Sequence, residues 1–350
     1  MTPFKRFTTS LFALIVLLCG TSAYGSALVC KMPSCEERSV TTDDGVHIVV
    51  QDWGAKTPNK PTIIFLHGTP FDHTLWQDQI DSNLKQSYRL ITMDYRGHGH
   101  ADEVADPNQF LQNNWANDLA AVLNNPYYKI DKAIVVAHSL GGLLLGDYLL
   151  KYGPDKVAGI IMVSAGFDMQ GLLAGVTHTP NPNIPCDVKQ HSSNLCGELD
   201  LVIATLPPPA GISATPEEFL TANERLVELK FVDPIPVGEI NFMVSRAILL
   251  TQVSRLSIFG GLLTEAGINK VPDIAALNIP TRFLFSDANR TQYLQVYLDR
   301  FFPGDVPVIP GSSYKVYHHM DHVPMLQRKT EFNNDIREFA ENIFGHHKSK

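Results

Sequence analysis

The order of strand-like and helix-like segments predicts an α/β chain: a mostly parallel, doubly wound sheet with a helical cap inserted into it. Three observations carry the prediction. Short, apolar, β-branched runs alternate with segments whose apolar residues recur at helical spacing, the pattern of a parallel sheet covered by helices on both faces. One such run, Ile134 to Ala137, passes directly into His138-Ser139-Leu140-Gly141-Gly142 and a Leu-rich stretch, which reads as strand, sharp turn and helix. Finally, the alternation stops at about Gly166, gives way to prolines and helix signals without strands, and resumes after about Ala276.

Composition agrees with this class. A chain of 350 residues, 44% hydrophobic and 18% charged, can bury a large core and suits one α/β domain with an insertion. The formal charge of −8, with no run of Lys and Arg, argues against a nucleic-acid surface.

Residues 1–27 have the layout of an export signal. Lys5 and Arg6 form the positive region, Leu11 to Cys19 the apolar region, and Ala23-Tyr24-Gly25 or Gly25-Ser26-Ala27 a small-residue cleavage site. The apolar run is shorter than the about 20 residues that span a bilayer. The expected location is therefore periplasmic or secreted. Removal of the signal would leave four cysteines, and an even number in an exported chain suggests disulfides. The local pairings Cys30 with Cys35 and Cys186 with Cys196 are favoured, since neither spacing suits zinc.

In order, His47 to Trp53 reads as a strand with a partner just before it, and Pro61 to His67 as a buried strand. A helix is expected over Asp72 to Leu84, a strand over Tyr88 to Asp94 and a helix over Asn108 to Leu123. After the strand, turn and helix around Ser139 comes a further strand, Val157 to Ala165. In the insertion, Thr215-Pro216-Glu217-Glu218 is a capping box that opens a helix to about Lys230. A second helix is expected from about Glu239 to Phe259, stopping at Gly260-Gly261. Strands resume at Thr281 to Ser286 and Tyr314 to His318, with a helix over Thr291 to Phe302 between them, and Glu331 to Phe344 closes the chain as a helix. The domain division is thus 28–165 plus 277–350 as core and 166–276 as cap.

The turn at Ser139 carries the chemistry. A serine on a tight strand-to-helix turn needs small neighbours two positions away, here Ala137 and Gly141, and its hydroxyl is lifted clear of the sheet. The helix N-terminus behind it offers N–H groups to a developing negative charge, so Ser139 is the candidate nucleophile. It needs a base and a group to orient that base, both from the carboxyl ends of strands. His322, between the last strand and the last helix, is suitably placed.

Four motifs occur in order: His67-Gly68-Thr69-Pro70, Asp94-x-Arg96-Gly97-His98-Gly99, Ala137-His138-Ser139-Leu140-Gly141-Gly142 and His322-Val323-Pro324. Together they resemble the α/β-hydrolase superfamily, in its serine esterase, lipase and cofactor-free haloperoxidase-like branch with a His-Gly-x-Pro motif and a helical cap. The resemblance implies Ser139 as nucleophile, His322 as base and then acid, and the N–H groups of Thr69 and Leu140 as oxyanion hole. Ala137 departs from the usual first glycine of the elbow, so strain is expected there. The acid should follow the seventh strand, where the usual aspartate position holds Asn289. Asp287 is favoured, with Asn289 and Asp168 as alternatives. The Asp94 to Gly99 turn is expected to be structural.

The activity so implied is hydrolysis of a carboxylic ester, thioester or lactone through an acyl-enzyme, without cofactor or metal and outside the cytoplasm. The partner would be a small ester or lipid-like substrate, since the cap is rich in Leu, Ile, Phe and Met, residues that also serve simply to pack it. Perhydrolases, C–C bond hydrolases and aminopeptidases use the same serine, and a ligand-binding protein could reuse the scaffold. The stretch His98-Gly99-His100-Ala101-Asp102-Glu103 resembles a zinc pattern of metallo-hydrolases but lacks its final histidine.

Overall fold

The structure is a computed structural model that describes residues 30, 35–54, 59–170, 202–208, 210–211, 213–288 and 294–345. Residues 1–27, expected as an export signal, and Cys186, Cys196 and Asn289 lie outside the described residues.

Eight strands form one sheet: β1 (Glu36–Thr41), β2 (His47–Asp52), β3 (Thr62–Leu66), β4 (Arg89–Asp94), β5 (Ala133–His138), β6 (Val157–Val163), β7 (Thr281–Ser286) and β8 (Ser313–Tyr317). Their spatial order is β1-β2-β4-β3-β5-β6-β7-β8. β2 runs antiparallel to β1 and β4, and every later pairing is parallel. β3 and β5 are buried on both faces, and alternate residues feed opposite sides of the sheet. Ile64, Leu66, Val135 and Ala137 join one buried cluster, while Ile63, Phe65, Ile134 and Val136 join the other. Before β1, Cys30 and Cys35 form a disulfide.

The region expected as one helix over Asp72 to Leu84 is broken. A 3₁₀ turn (His73–Trp76) capped by the Asp72 side chain leads into α1 (Gln77–Ile80), and α2 (Leu84–Ser87) follows after the polar Asp81-Ser82-Asn83. α3 (Gln112–Leu123) and α4 (Leu140–Tyr152) then flank β5.

In the segment expected as a cap, α5 (Pro216–Leu229) starts at the expected capping box, with both reciprocal hydrogen bonds present. The single long helix expected next is two: α6 (Val237–Ala247) and α7 (Gln252–Thr264), bent by 72°. The Thr251 hydroxyl caps the second by accepting from the Ser254 N–H, a local signal stronger than the run of apolar residues across it. Nor do Gly260 and Gly261 stop α7. They are contact glycines, and a Cβ on Gly261 would stand 2.5 Å from the Pro107 carbonyl oxygen.

α8 (Val271–Ala276) brings Val271 and Ile274 into the main core cluster. After β7 come α9 (Leu294–Phe301), β8, α10 (Pro324–Gln327) and α11 (Lys329–Gly345). Among the described residues no single helix is long and apolar enough to cross a membrane, and only the bent pair α6 and α7 matches by length and composition.

Candidate active site

β5 delivers Ser139 to the carboxyl end of the sheet. Its backbone is at φ 51° and ψ −119°, left-handed territory for a residue with a side chain, and such a residue costs about 1–3 kcal/mol. Neighbouring contacts enforce it. The Ser139 N–H donates to the Val163 carbonyl at 3.1 Å, and the Gly142 N–H closes the turn on the Ser139 carbonyl at 2.9 Å. A Cβ on Gly141 would stand 2.8 Å from the His67 carbonyl oxygen, and one on Gly142 2.5 Å from that of Gly166. The strain falls on Ser139 itself and not on Ala137, which pairs in register with Leu66 and Met162 inside the sheet.

The loop after β3 lies against this turn. A Cβ on Gly68 would meet the Ser139 Cβ at 2.7 Å and the His138 ring at 2.6 Å, so only glycine leaves room here. The Phe71 N–H donates to the Gly68 carbonyl at 3.0 Å and closes a tight turn around Thr69 and Pro70. Thr69 is thus held next to the serine, and Leu140 opens α4, where the first four N–H groups lack helical acceptors. These are the two N–H positions expected of an oxyanion hole.

His322 lies in the loop between β8 and α10, fully buried, with Met320 and Val323 packed in the core beside it. Its main chain is fixed by a residue that sequence reasoning passed over. His138, the last residue of β5, donates from Nε2 to the His322 carbonyl at 2.8 Å, and the two rings stand 4.7 Å apart. The acceptor is a carbonyl, so the proton of His138 sits on Nε2. Burial holds the His138 imidazole down at about 3, so it stays a neutral donor. The His322 imidazole is also pushed well below the usual histidine range, first by burial, then by the charge of Lys230 and by His138. A neutral imidazole is the form that can accept a proton from serine. Neither of its ring nitrogens makes a hydrogen bond among the described residues.

The candidates for the acid are engaged elsewhere. Asp287 accepts from the His319 N–H at 2.7 Å and faces His318 Nδ1 at 2.7 Å, so it ties down the loop that carries His322 without touching the imidazole. The Ala288 N–H adds a bond to the Met320 carbonyl at 3.0 Å. Asp168 is fully buried, bridged to Arg300 at 2.7 Å and to the Lys270 N–H at 2.9 Å, which makes it a structural anchor for α9 and the start of α8.

The Asp94 to Gly99 turn is structural, as expected. Asp94 accepts from the His73 N–H at 2.7 Å and contacts its imidazole at 2.9 Å. Burial opposes charge on both, but their contact outweighs it, raising His73 and lowering Asp94. Arg96 bridges Asp118 at 2.6 Å and Asp44 at 2.8 Å. The zinc-like stretch does not converge: His98 faces Thr69 at 3.3 Å, His100 faces Arg246 at 3.4 Å and Asp102 binds His47. Asp72, His73 and Asp94 do bring three ligand atoms within 4.8 Å of one another. These groups already serve Arg246, Thr74 and the His73–Asp94 contact.

Comparison with known proteins agrees with this geometry. The sequence profile of the family described as "alpha/beta hydrolase fold" matches residues 61–190, the segment that contains β3 to β6 and Ser139. A bifunctional esterase/perhydrolase from Acinetobacter calcoaceticus is 37% identical over 126 residues, 36% of this chain and 44% of that protein. A non-heme chloroperoxidase from Kitasatospora aureofaciens is 36% identical over 134 residues, 38% of this chain and 44% of that protein. The chain thus spans under half the length of the curated relatives it matches. Among solved structures, a putative aryl esterase from Burkholderia cenocepacia superposes with a TM-score of 0.71 at 21% identity, covering 89% of this chain and all of that one. The eight-stranded order, the strained serine at the end of β5 and these matches together show that the chain has the α/β-hydrolase fold, with residues 61–190 similar to that family.

Proposed function

We propose that this protein is an exported serine hydrolase that cleaves a carboxylic ester, thioester or lactone. The observation that carries the reading is the Ser139 backbone, held at φ 51° by the fold against its own conformational preference. Strain of this kind persists only where surrounding structure imposes it, and here it presents a hydroxyl beside two candidate oxyanion donors. Ser139 attacks the acyl carbon as its proton passes to His322. The tetrahedral oxyanion is received by the N–H groups of Thr69 and Leu140. Collapse expels the alcohol, protonated by His322, and water activated by the same imidazole releases the acid. The group that orients His322 comes from the loop after β7: Asn289 through its side-chain oxygen, or Asp287 once it leaves His318 and the His319 N–H. The main chain of the base is fixed by His138, whose ring bonds the His322 carbonyl at 2.8 Å.

A second reading has one observation in its favour: the relative from Acinetobacter calcoaceticus is a bifunctional esterase/perhydrolase. Hydrogen peroxide would then replace water at the acyl-enzyme and give a peracid.

The test is labelling of the purified protein with a fluorophosphonate, followed by peptide mapping. An adduct on Ser139, absent in Ser139→Ala and lost in His322→Ala, is expected. A folded protein with no adduct would sink the serine mechanism and shift weight to a ligand-binding role.

A further inference from the structure

Three parts of the candidate site meet on one side chain that the reaction itself does not use, the imidazole of His138. The residue closes β5, is fully buried, and is followed directly by Ser139. On one edge its Nε2–H donates to the His322 carbonyl at 2.8 Å, 184 positions along the chain. On the other edge lies Gly68, one residue before Thr69, where a Cβ would stand 2.6 Å from Nδ1. One ring thus touches the loop after β3 and the loop of the base while its own backbone leads into the nucleophile.

The ring has little room to move. Trp76 stands nearly perpendicular to it, at 88° with ring centres 6.4 Å apart, and is itself packed on Phe65 and Phe332. The His322 ring stands 4.7 Å away. Nδ1 is buried and has no partner among the described residues, so a proton there would lack an acceptor. The result is a neutral ring whose single proton, on Nε2, points in a fixed direction.

The loop of the base is tied on both sides. The Ala288 N–H donates to the Met320 carbonyl at 3.0 Å, and the Leu326 N–H to the Val323 carbonyl at 3.1 Å. Between these ties, His138 bonds the main chain of His322 itself. An imidazole reaches a serine hydroxyl only from a correctly placed backbone, and a misplacement of about 1 Å can cost about a hundredfold in rate.

We propose that His138 is a positioning residue for the reaction: by holding the His322 carbonyl, it sets the place from which the base reaches Ser139. The inference rests on the serine-hydrolase reading and adds a residue to it. The competing account is that His138 only satisfies a buried carbonyl and packs the core.

The test uses the full protein with para-nitrophenyl acetate as substrate. His138→Phe keeps a ring without the donor, and His138→Gln keeps a donor, since its side-chain N–H can meet the same carbonyl. The phenylalanine variant should lose about tenfold to a hundredfold in kcat, with KM within about twofold of the wild type, and the glutamine variant should recover most of that loss. The loss should also depend on the base. In a cycle with His322→Ala, the two losses should not multiply, and the double variant should keep the residual rate that His322→Ala leaves to the oxyanion hole and binding. A packing role would instead damage Ser139 and the Gly68 loop, so the losses would multiply, and that result overturns the proposal. So does a folded His138→Phe with wild-type kcat. Nitrogen NMR of the wild-type imidazoles, with His138 identified by through-bond correlation to its backbone, needs no variant to fold. It should show a ring that stays neutral with its proton on Nε2 between about pH 5 and 8. A proton on Nδ1, or titration in that range, overturns the proposal. If Ser139 takes the fluorophosphonate while the losses multiply, the serine-hydrolase reading stands and only the role of His138 falls. A folded wild type whose Ser139 takes no label removes both.

Discussion

Ser139 follows β5 and His322 lies in the loop after β8, and the two are held by different means. Ser139 is fixed by its own backbone, by glycines that let β3 and β6 approach within contact, and by hydrogen bonds on both sides of its turn. His322 is fixed through its carbonyl by His138, and through its loop by Asp287 and Ala288, while neither ring nitrogen has a partner among the described residues. One half is rigid by covalent geometry and packing. The other is a positioned loop with a ring left to turn, and catalysis needs that freedom, since the imidazole must collect a proton from one atom and deliver it to another.

The sharpest break of this comparison lies in the acid. Replacing Asp287 and Asn289 singly by Ala should cost about 10²–10⁴-fold in kcat at one position only, read in steady-state ester hydrolysis. Asp168→Ala should instead act on the fold, lowering stability by about 3 kcal/mol because Arg300 and the Lys270 N–H lose a buried partner. Comparable small losses of activity at all three would mean that His322 works without an orienting acid.

Closing the slot beside the serine comes next. Gly68→Val should reduce kcat/KM by about a hundredfold and stability by about 1–3 kcal/mol, since its Cβ would fall 2.7 Å from that of Ser139. Activity close to that of the wild type would show that the loop after β3 is more mobile than its packing implies.

Acid should then separate folded and unfolded forms. His67, His98, His138 and His322 are all depressed in the folded protein by burial, so below about pH 6.5 the unfolded chain binds protons that the folded one refuses. Stability is therefore full above that value and falls as the pH drops. His138, held down at about 3, contributes a slope of about 1.4 kcal/mol per pH unit across the window. The raised His73 acts in a separate window: its stabilisation is full below about pH 6.5 and is lost as the pH rises through its higher folded value, so the acid-side slope is unchanged by it. Denaturant melts at stepped pH values read this directly, and His138→Phe should flatten the slope.

The smallest effect is also the cleanest reading of strain. Ser139→Gly should abolish hydrolysis and yet stabilise the fold by about 1 kcal/mol, because glycine adopts the positive φ without penalty. An unchanged or lower melting temperature would place the cost of the elbow elsewhere.

The sequence by itself determined the succession of strands along the chain, the elbow and the capped start of α5. Each of these is written within a few consecutive residues: β-branched runs, small residues around Ser139, and Thr215 with Glu218 three positions on. It misjudged the Glu239 to Phe259 segment, where one side-chain cap at Thr251 outweighed a continuous apolar pattern. Only the tertiary structure decided the rest. That His138 holds the main chain of His322, 184 residues away, follows from β5 ending beside the loop after β8. That Asp287 serves His318 and His319, and that Arg255 is buried without a carboxylate partner among the described residues, depends on how loops and helices meet. A charged residue on an amphipathic helix reads as solvent-facing until its neighbours in space are known, because burial is a property of the packed fold and local sequence records only the helix.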